Sequence, residues 1–233
     1  RKGMGQKYDA KMIAYYIGGA DVKILVDTGV PDLKRSKEYH PYSDLRLSEE
    51  QTMEAQLSRV GVKPEDIDIV VLTHLHWDHC FGLKKFTNAE FFVNRKEYYF
   101  ALDPIPPWYV AYEHMATGLR PAFHDTVFTT LSGEKEITEG ITVIPTPGHS
   151  PGSQSVAVET ERGTYVIAGD AVSIYENLTG NPKEKTPYVM VGVLTNMLEA
   201  WESLEKIDEL VHGNPLRVMP GHDPKVFGKR RYP

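Results

Sequence analysis

His74-Leu75-His76-Trp77-Asp78-His79 follows directly on the apolar run Ile67-Asp68-Ile69-Val70-Val71-Leu72. Such a run reads as a buried strand. Three imidazoles and a carboxylate are therefore presented where a rigid strand gives way to a loop, a placement that holds ligand geometry. Neutral imidazole and carboxylate, without thiolate, suit zinc, iron, manganese or nickel. Taken alone, the same six residues also read as a solvated His-rich loop, so the rest of the chain has to decide.

Upstream, Lys11 to Ile17 and Asp21 to Asp27 are short apolar segments separated by Gly18-Gly19, a hairpin-like pair, and the second ends in Asp27-Thr28-Gly29. Ser48-Glu49-Glu50-Gln51 has capping-box spacing. Met53, Leu57 and Val60 then mark a helix that Gly61 stops. Downstream, Phe91 to Val93 reads as a strand. Residues 95–128 are rich in Tyr, Trp and Phe but broken by Pro104, Pro106 and Pro107, which predicts an aromatic, lid-like segment or pocket wall rather than one helix. The second half repeats the rhythm. Ile141 to Ile144 leads to Thr146-Pro147-Gly148-His149-Ser150-Pro151-Gly152, and Ser155 to Val158 and Tyr165 to Ala168 flank a turn and end at Gly169-Asp170. Val193, Leu194, Met197, Leu198, Trp201, Leu204 and Ile207 predict one amphipathic helix. Leu216 to Met219 is a last strand before Pro220-Gly221-His222-Asp223.

Asp27, His74 to His79, His149, Asp170 and His222 each stand at the C-terminal end of an apolar segment. Singly, His149 or His222 reads as a hydrogen-bonded structural histidine and Asp170 as a turn residue. Together they form one site if the strands are parallel neighbours whose ends meet along one rim. In that pattern the chain resembles the metallo-β-lactamase superfamily, whose signature is His-x-His-x-Asp-His followed by a distant His, Asp and His. The flanking Leu72-Thr73, Ala168-Gly169-Asp170 and Pro220-Gly221-His222 match as well.

The resemblance implies an α/β fold, a four-layer αβ/βα sandwich formed as a single domain over residues 1–233, with two divalent metal ions in its edge cleft. Zinc is the first choice of metal, with iron, manganese, cobalt or nickel as alternatives. His74, His76 and His149 would hold one metal, Asp78, His79 and His222 the other, and Asp170 would bridge them. Asp27 would orient a ligand from behind. The superfamily places a short strand before the position of Ile13, so the fold is expected to lack its first strand, and residues are expected to have preceded Arg1. Paired cations sharing one hydroxide give a nucleophile at neutral pH without a serine or cysteine. Cys80 therefore reads as a small buried filler. His40, His114, His124 and His212 fall outside the pattern.

The overall shape is similar to the N-acyl homoserine lactonase group, in Val26-Asp27-Thr28-Gly29, Pro64-Glu65-Asp66-Ile67-Asp68 and Ala168-Gly169-Asp170-Ala171. That implies opening of a lactone ring by attack of a bridging hydroxide, with Asp78 and Asp170 in the catalytic centre. The group supports the lactone carbonyl with a tyrosine three residues after the bridging Asp. Here Ser173 holds that position and Tyr175 lies two further on, so Tyr175 is the candidate for the role. A glyoxalase II-like thioesterase, or another small-ester hydrolase, is the alternative, weakened by only eleven residues after His222. A metal-binding sensor without turnover is the third reading. Redox diiron relatives carry Glu where His76 stands.

Composition bounds the partners. A net charge of −6 and pI near 5.9 argue against nucleic acid. The basic run Lys229-Arg230-Arg231 reads as a solvated tail. No apolar stretch reaches membrane-spanning length and no export pattern opens the chain. The single cysteine excludes an internal disulfide. The expectation is a cytoplasmic monomer or homodimer acting on a small molecule.

Overall fold

A computed structural model describes residues 9–19, 21–228 and 231–233. The polar opening at residues 1–7 and the tail residues 229 and 230 lie outside the described residues. The strands are β1 (Tyr15–Ile17), β2 (Ile24–Val26), β3 (Ile69–Val71), β4 (Glu90–Asn94) and β5 (Phe128–Leu131), then β6 (Lys135–Thr138), β7 (Ile141–Pro145), β8 (Gln154–Thr160), β9 (Gly163–Gly169) and β10 (Val218–Pro220). They form two five-stranded sheets, ordered β1-β2-β3-β4-β5 and β10-β9-β8-β7-β6, with helix α1 (Leu33–Tyr39) after β2 and helix α5 (Glu176–Thr179) after β9. In the first, β1 is antiparallel to β2 and the rest are parallel. In the second, β9 and β10 are parallel and the other pairs antiparallel.

The period of two along each strand builds the layers. Ile24, Val26, Val71 and Phe92 of the first sheet meet Val143, Val156, Ile167 and Met219 of the second in one buried cluster. The intervening positions face outward. Leu25, Val70, Leu72 and Val93 pack under α2 (Met53–Ser58), α3 (Trp77–Cys80) and α4 (Arg95–Leu102). Val166, Ala168 and Val218 pack under α6 (Met197–Leu210) through Leu204, Ile207 and Val211. Helix, sheet, sheet, helix is the expected αβ/βα sandwich.

Three local expectations are corrected. The Gln51 side chain does accept from Ser48 N, at 2.9 Å, but this closes a separate 3-10 turn, and α2 begins only at Met53 behind Thr52. Val60 is exposed, so the buried stripe reduces to Leu57 and the half-buried Met53. Val193 and Leu194 precede α6, whose N-cap Asn196 accepts from Leu198 N and Glu199 N, and Val193, Met197 and Leu198 are exposed. Within residues 95–128, Tyr112 and Phe123 are core, while Trp108 is half-buried.

Candidate metal centre

The ligand-type residues come from the same ends of both sheets rather than from parallel neighbours in one. Asp27 and His74 follow β2 and β3, while His149, Asp170 and His222 follow β7, β9 and β10, which run in one direction. The two rims are sewn together by Gln154, whose backbone N donates to Thr73 O at 2.9 Å and whose side chain donates to Leu72 O at 2.8 Å. Thr28 N donates to His79 O at 2.7 Å and fastens α3 to the loop after β2. Glycine makes two of the approaches possible. A Cβ on Gly148, at φ +125°, would collide with the Ala200 backbone, and one on Gly221 would strike Asp170 Oδ1.

His74, His76, Asp78, His79, His149, Asp170 and His222 all converge. They form three overlapping groups: His74, His76 and His149; His74, His79 and Asp170; Asp78, His79 and His222. Within each group the potential ligand atoms lie within 4.8 Å of one another. Partners on the far side of each ring fix the tautomers. His79 Nδ1 faces Asp27 Oδ2 at 2.8 Å, His149 Nδ1 faces Val193 O at 2.8 Å, and His222 Nδ1 faces Lys11 O at 2.7 Å. Those oxygens only accept, so each Nδ1 carries a proton and each ring, when neutral, presents its lone pair at Nε2. Thr73 Oγ1 gives its proton to Asp27 Oδ2 at 2.8 Å, which leaves its lone pair for His74 Nδ1 at 3.1 Å.

The result is unusual for uncharged packing. His74 Nε2, His76 Nδ1 and His149 Nε2 stand 3.0, 3.1 and 3.2 Å apart. No partner fixes the His76 ring from its far side, so its Nδ1 can donate one of these bonds; without that proton three lone pairs face one point, as a cation site requires. Tetrahedral zinc with bonds of about 2.0–2.1 Å spaces its ligands by about 3.3 Å. The second group is looser, with Asp78 Oδ2 at 3.8 Å from His79 Nε2 and 3.7 Å from His222 Nε2. Asp170 lies between the groups. Its Oδ1 is 3.0 Å from His222 Nε2 and 3.5 Å from His79 Nε2, and its Oδ2 is 3.2 Å from His222 Nε2 and 3.6 Å from His149 Nε2. Among the described residues, His79 Nε2 and Asp170 Oδ1 are buried without a hydrogen bond. Buried polar atoms left so are costly, and a divalent cation satisfies both. The donor set fits the metal that the sequence implies.

The surroundings place the remaining candidates. Trp108 stacks on His76 at 5.6 Å and 12°. His40, outside the ligand groups, stacks on Trp77 and bonds to Glu113 Oε1 at 2.9 Å, and Glu113 also pairs with Arg35. This brace behind α3 was not visible in sequence. Cys80 is buried, donates to Leu75 O and has its thiol pKa pushed well up by burial, as a filler should. Tyr175 is half-buried, and its N donates to Asp223 Oδ2 at 2.8 Å. Ser173 contributes its carbonyl to His222 N at 2.9 Å.

Charge in the cluster predicts how the metal-stripped chain titrates. Burial pulls His79 down, but Asp78, Asp27 and Asp170 outweigh it and hold the ring at about 10; His222, also opposed by burial, is held at about 9 by Asp170 and Asp78. Burial and the neighbouring imidazoles drive His74 and His76 well below 6.5. Protons on His79 and His222 stabilise the fold fully below their unfolded pKa and are lost as pH rises toward 9–10. The neutral state of His74 and His76 stabilises above 6.5 and is lost as pH falls. The Tm of metal-stripped protein should therefore peak near pH 6.5 and fall on both sides, and added zinc should remove the alkaline decline. Circular-dichroism melts across pH check this; a flat profile contradicts it.

Sheets packed face to face, with His and Asp ligands at one rim, define the class, and the chain belongs to the metallo-beta-lactamase superfamily, whose family model matches residues 14–222. It is a metal-dependent hydrolase. It is similar to an N-acyl homoserine lactonase of Bacillus thuringiensis, 29% identical over 227 residues that cover 94% of this chain and 84% of the relative. It is also 27% identical over 190 residues to the N-acyl homoserine lactonase AttM of Azorhizobium caulinodans, covering 78% of this chain and 67% of that protein. A solved N-acyl homoserine lactone hydrolase, with N-hexanoyl-L-homoserine bound at its catalytic metal centre, superposes with a TM-score of 0.69 at 27% identity, covering 94% and 83% of the two chains. Among the described residues no helix is long and apolar enough to cross a membrane.

Proposed function

We propose that the chain opens lactone rings of the acyl homoserine lactone type with two divalent metal ions. The observation that carries this is the Asp170 carboxylate, whose Oδ1 lies near His222 and His79 while its Oδ2 lies between His222, at 3.2 Å, and His149 of the three-imidazole group, at 3.6 Å. His74, His76 and His149 would hold one ion, Asp78, His79 and His222 the other, and Asp170 would be shared. When bound, such a pair supplies a water that ionises near neutral pH and a Lewis acid for the carbonyl. Asp170, within reach of both groups, accepts the proton released on attack and returns it to the leaving alkoxide. Asp78, with a side chain 15% exposed, forms the solvent edge from which substrate enters. Trp108, stacked over His76, offers an apolar wall for an acyl substituent. Residues 95–128, which carry it, would act as a wall and cover in one domain with the two sheets.

Tyr175 supports the carbonyl oxygen in this reading, which requires its half-buried hydroxyl to face the substrate. Tyr175→Phe should then lower kcat about 100-fold while metal content stays unchanged. An unaltered kcat removes Tyr175 from the reaction and leaves the Ser173 position to be tested. The lactone preference rests on the named relatives. It is tested by assaying zinc-loaded protein on acyl homoserine lactones, an aryl ester, a glutathione thioester and a β-lactam. Lactones should lead by kcat/KM; a lead for the thioester overturns the substrate assignment.

A further inference from the structure

Glu97 lies wholly buried, 0% exposed, in the first turn of α4. A buried carboxylate has to be compensated, and four donors surround this one. Leu75 N and Tyr112 OH reach Oε1 at 3.0 and 2.9 Å, while Ser150 Oγ and Gly152 N reach Oε2 at 2.5 and 3.2 Å. Leu75 separates His74 from His76, and Ser150 follows His149. One side chain therefore ties together the two loops that carry all three imidazoles of the first group. The approach is so close that a Cβ on Gly152 would collide with the Glu97 backbone. The other group hangs on different supports: His79 on Asp27 and His222 on the Lys11 carbonyl.

We propose that Glu97 is the positioning residue of the three-imidazole site, setting the separation of His74 and His76 from His149 and so the metal affinity of that site alone. The inference rests on the two-metal reading above. In Glu97→Gln the amide NH2 would face one backbone N–H, of Leu75 or of Gly152, which can only donate, so one loop loses that hold while side-chain volume is conserved. Ser150→Ala removes a single donor from the other side of the same link. Leu57→Ala, in the core beneath α2, serves as a variant that lowers stability without touching either loop.

The test titrates zinc and cobalt(II) into the metal-stripped full chain, following heat and the visible cobalt spectrum. Wild type should take two equivalents. Glu97→Gln should bind one of them about 10- to 100-fold more weakly and the other as wild type does. Ser150→Ala should shift the same equivalent by less, and Leu57→Ala should shift neither. Wild-type affinities at both equivalents in Glu97→Gln and Ser150→Ala overturn the proposal, as does equal weakening of both sites. If Glu97→Gln does not fold, Ser150→Ala decides alone. A wild-type chain that binds no metal refutes the two-metal reading itself, and this inference with it.

Discussion

Asp170→Asn is expected to lower kcat/KM by at least about 1,000-fold, roughly 4 kcal/mol of transition-state stabilisation. The amide keeps the shape of the carboxylate but not its charge, and only one of its two polar ends can accept. Asp170 follows the parallel strand β9 and faces ligands from β3, β7 and β10 within 3.6 Å. No other described residue belongs to a ligand group while also contacting both His149 and His222. Burial alone would raise its pKa, yet His222, His149 and His79 hold it well below 3.8, so the acid is ionised across the physiological range. The substitution removes that charge and, on the two-metal reading, the shared ligand at once. Metal analysis beside the kinetics should show reduced loading; full activity with full loading would dismiss the bridging role.

Asp27→Ala has the largest expected effect on stability, roughly 3–5 kcal/mol, or a Tm lowered by about 10 °C. Asp27 is 3% exposed, sits at φ +63° and accepts from Thr73 N, Thr73 Oγ1 and His79 Nδ1. Alanine at positive φ is strained, and the three donors lose their acceptor in a dry site. His79 then loses the partner that fixes its tautomer, so metal binding through Asp78, His79 and His222 should weaken as well. Asp27→Asn, which keeps the shape and the tolerance of positive φ, should recover much of the stability but not the His79 orientation. Thermal melts and metal titration of the two variants separate these contributions; equal melting of Asp27→Ala and wild type would show that the linkage is idle.

Much of this architecture was legible because buried strands and ligand motifs write themselves into short stretches. The six residues from His74 to His79 mark the end of β3, and β7, β9 and β10 each end in a Gly-containing turn with a His or Asp. Other elements left weaker traces. Helix α1 (Leu33–Tyr39) buries only Ser36 and carries no apolar stripe, and it is held at its start by Asp32 accepting from Arg35 N. Strand β6 reads Lys-Glu-Ile-Thr, an edge strand with both charges exposed. Val193 and Leu194 have the spacing of α6 but stay outside it, where the Val193 carbonyl holds His149. Glu97 has the least sequence signature of all. Within Arg95-Lys96-Glu97-Tyr98 it reads as an ordinary exposed helix residue. Its importance comes from contacts 22, 53 and 55 residues away, which no local pattern encodes.

The most direct measurement follows lactone hydrolysis while zinc is titrated into metal-stripped wild-type protein. A two-metal hydrolase gives negligible turnover of an acyl homoserine lactone at first, with activity rising to a plateau at two bound equivalents per chain. A plateau at one equivalent, or hydrolysis that persists without bound metal, contradicts the paired-cation centre built on Asp170.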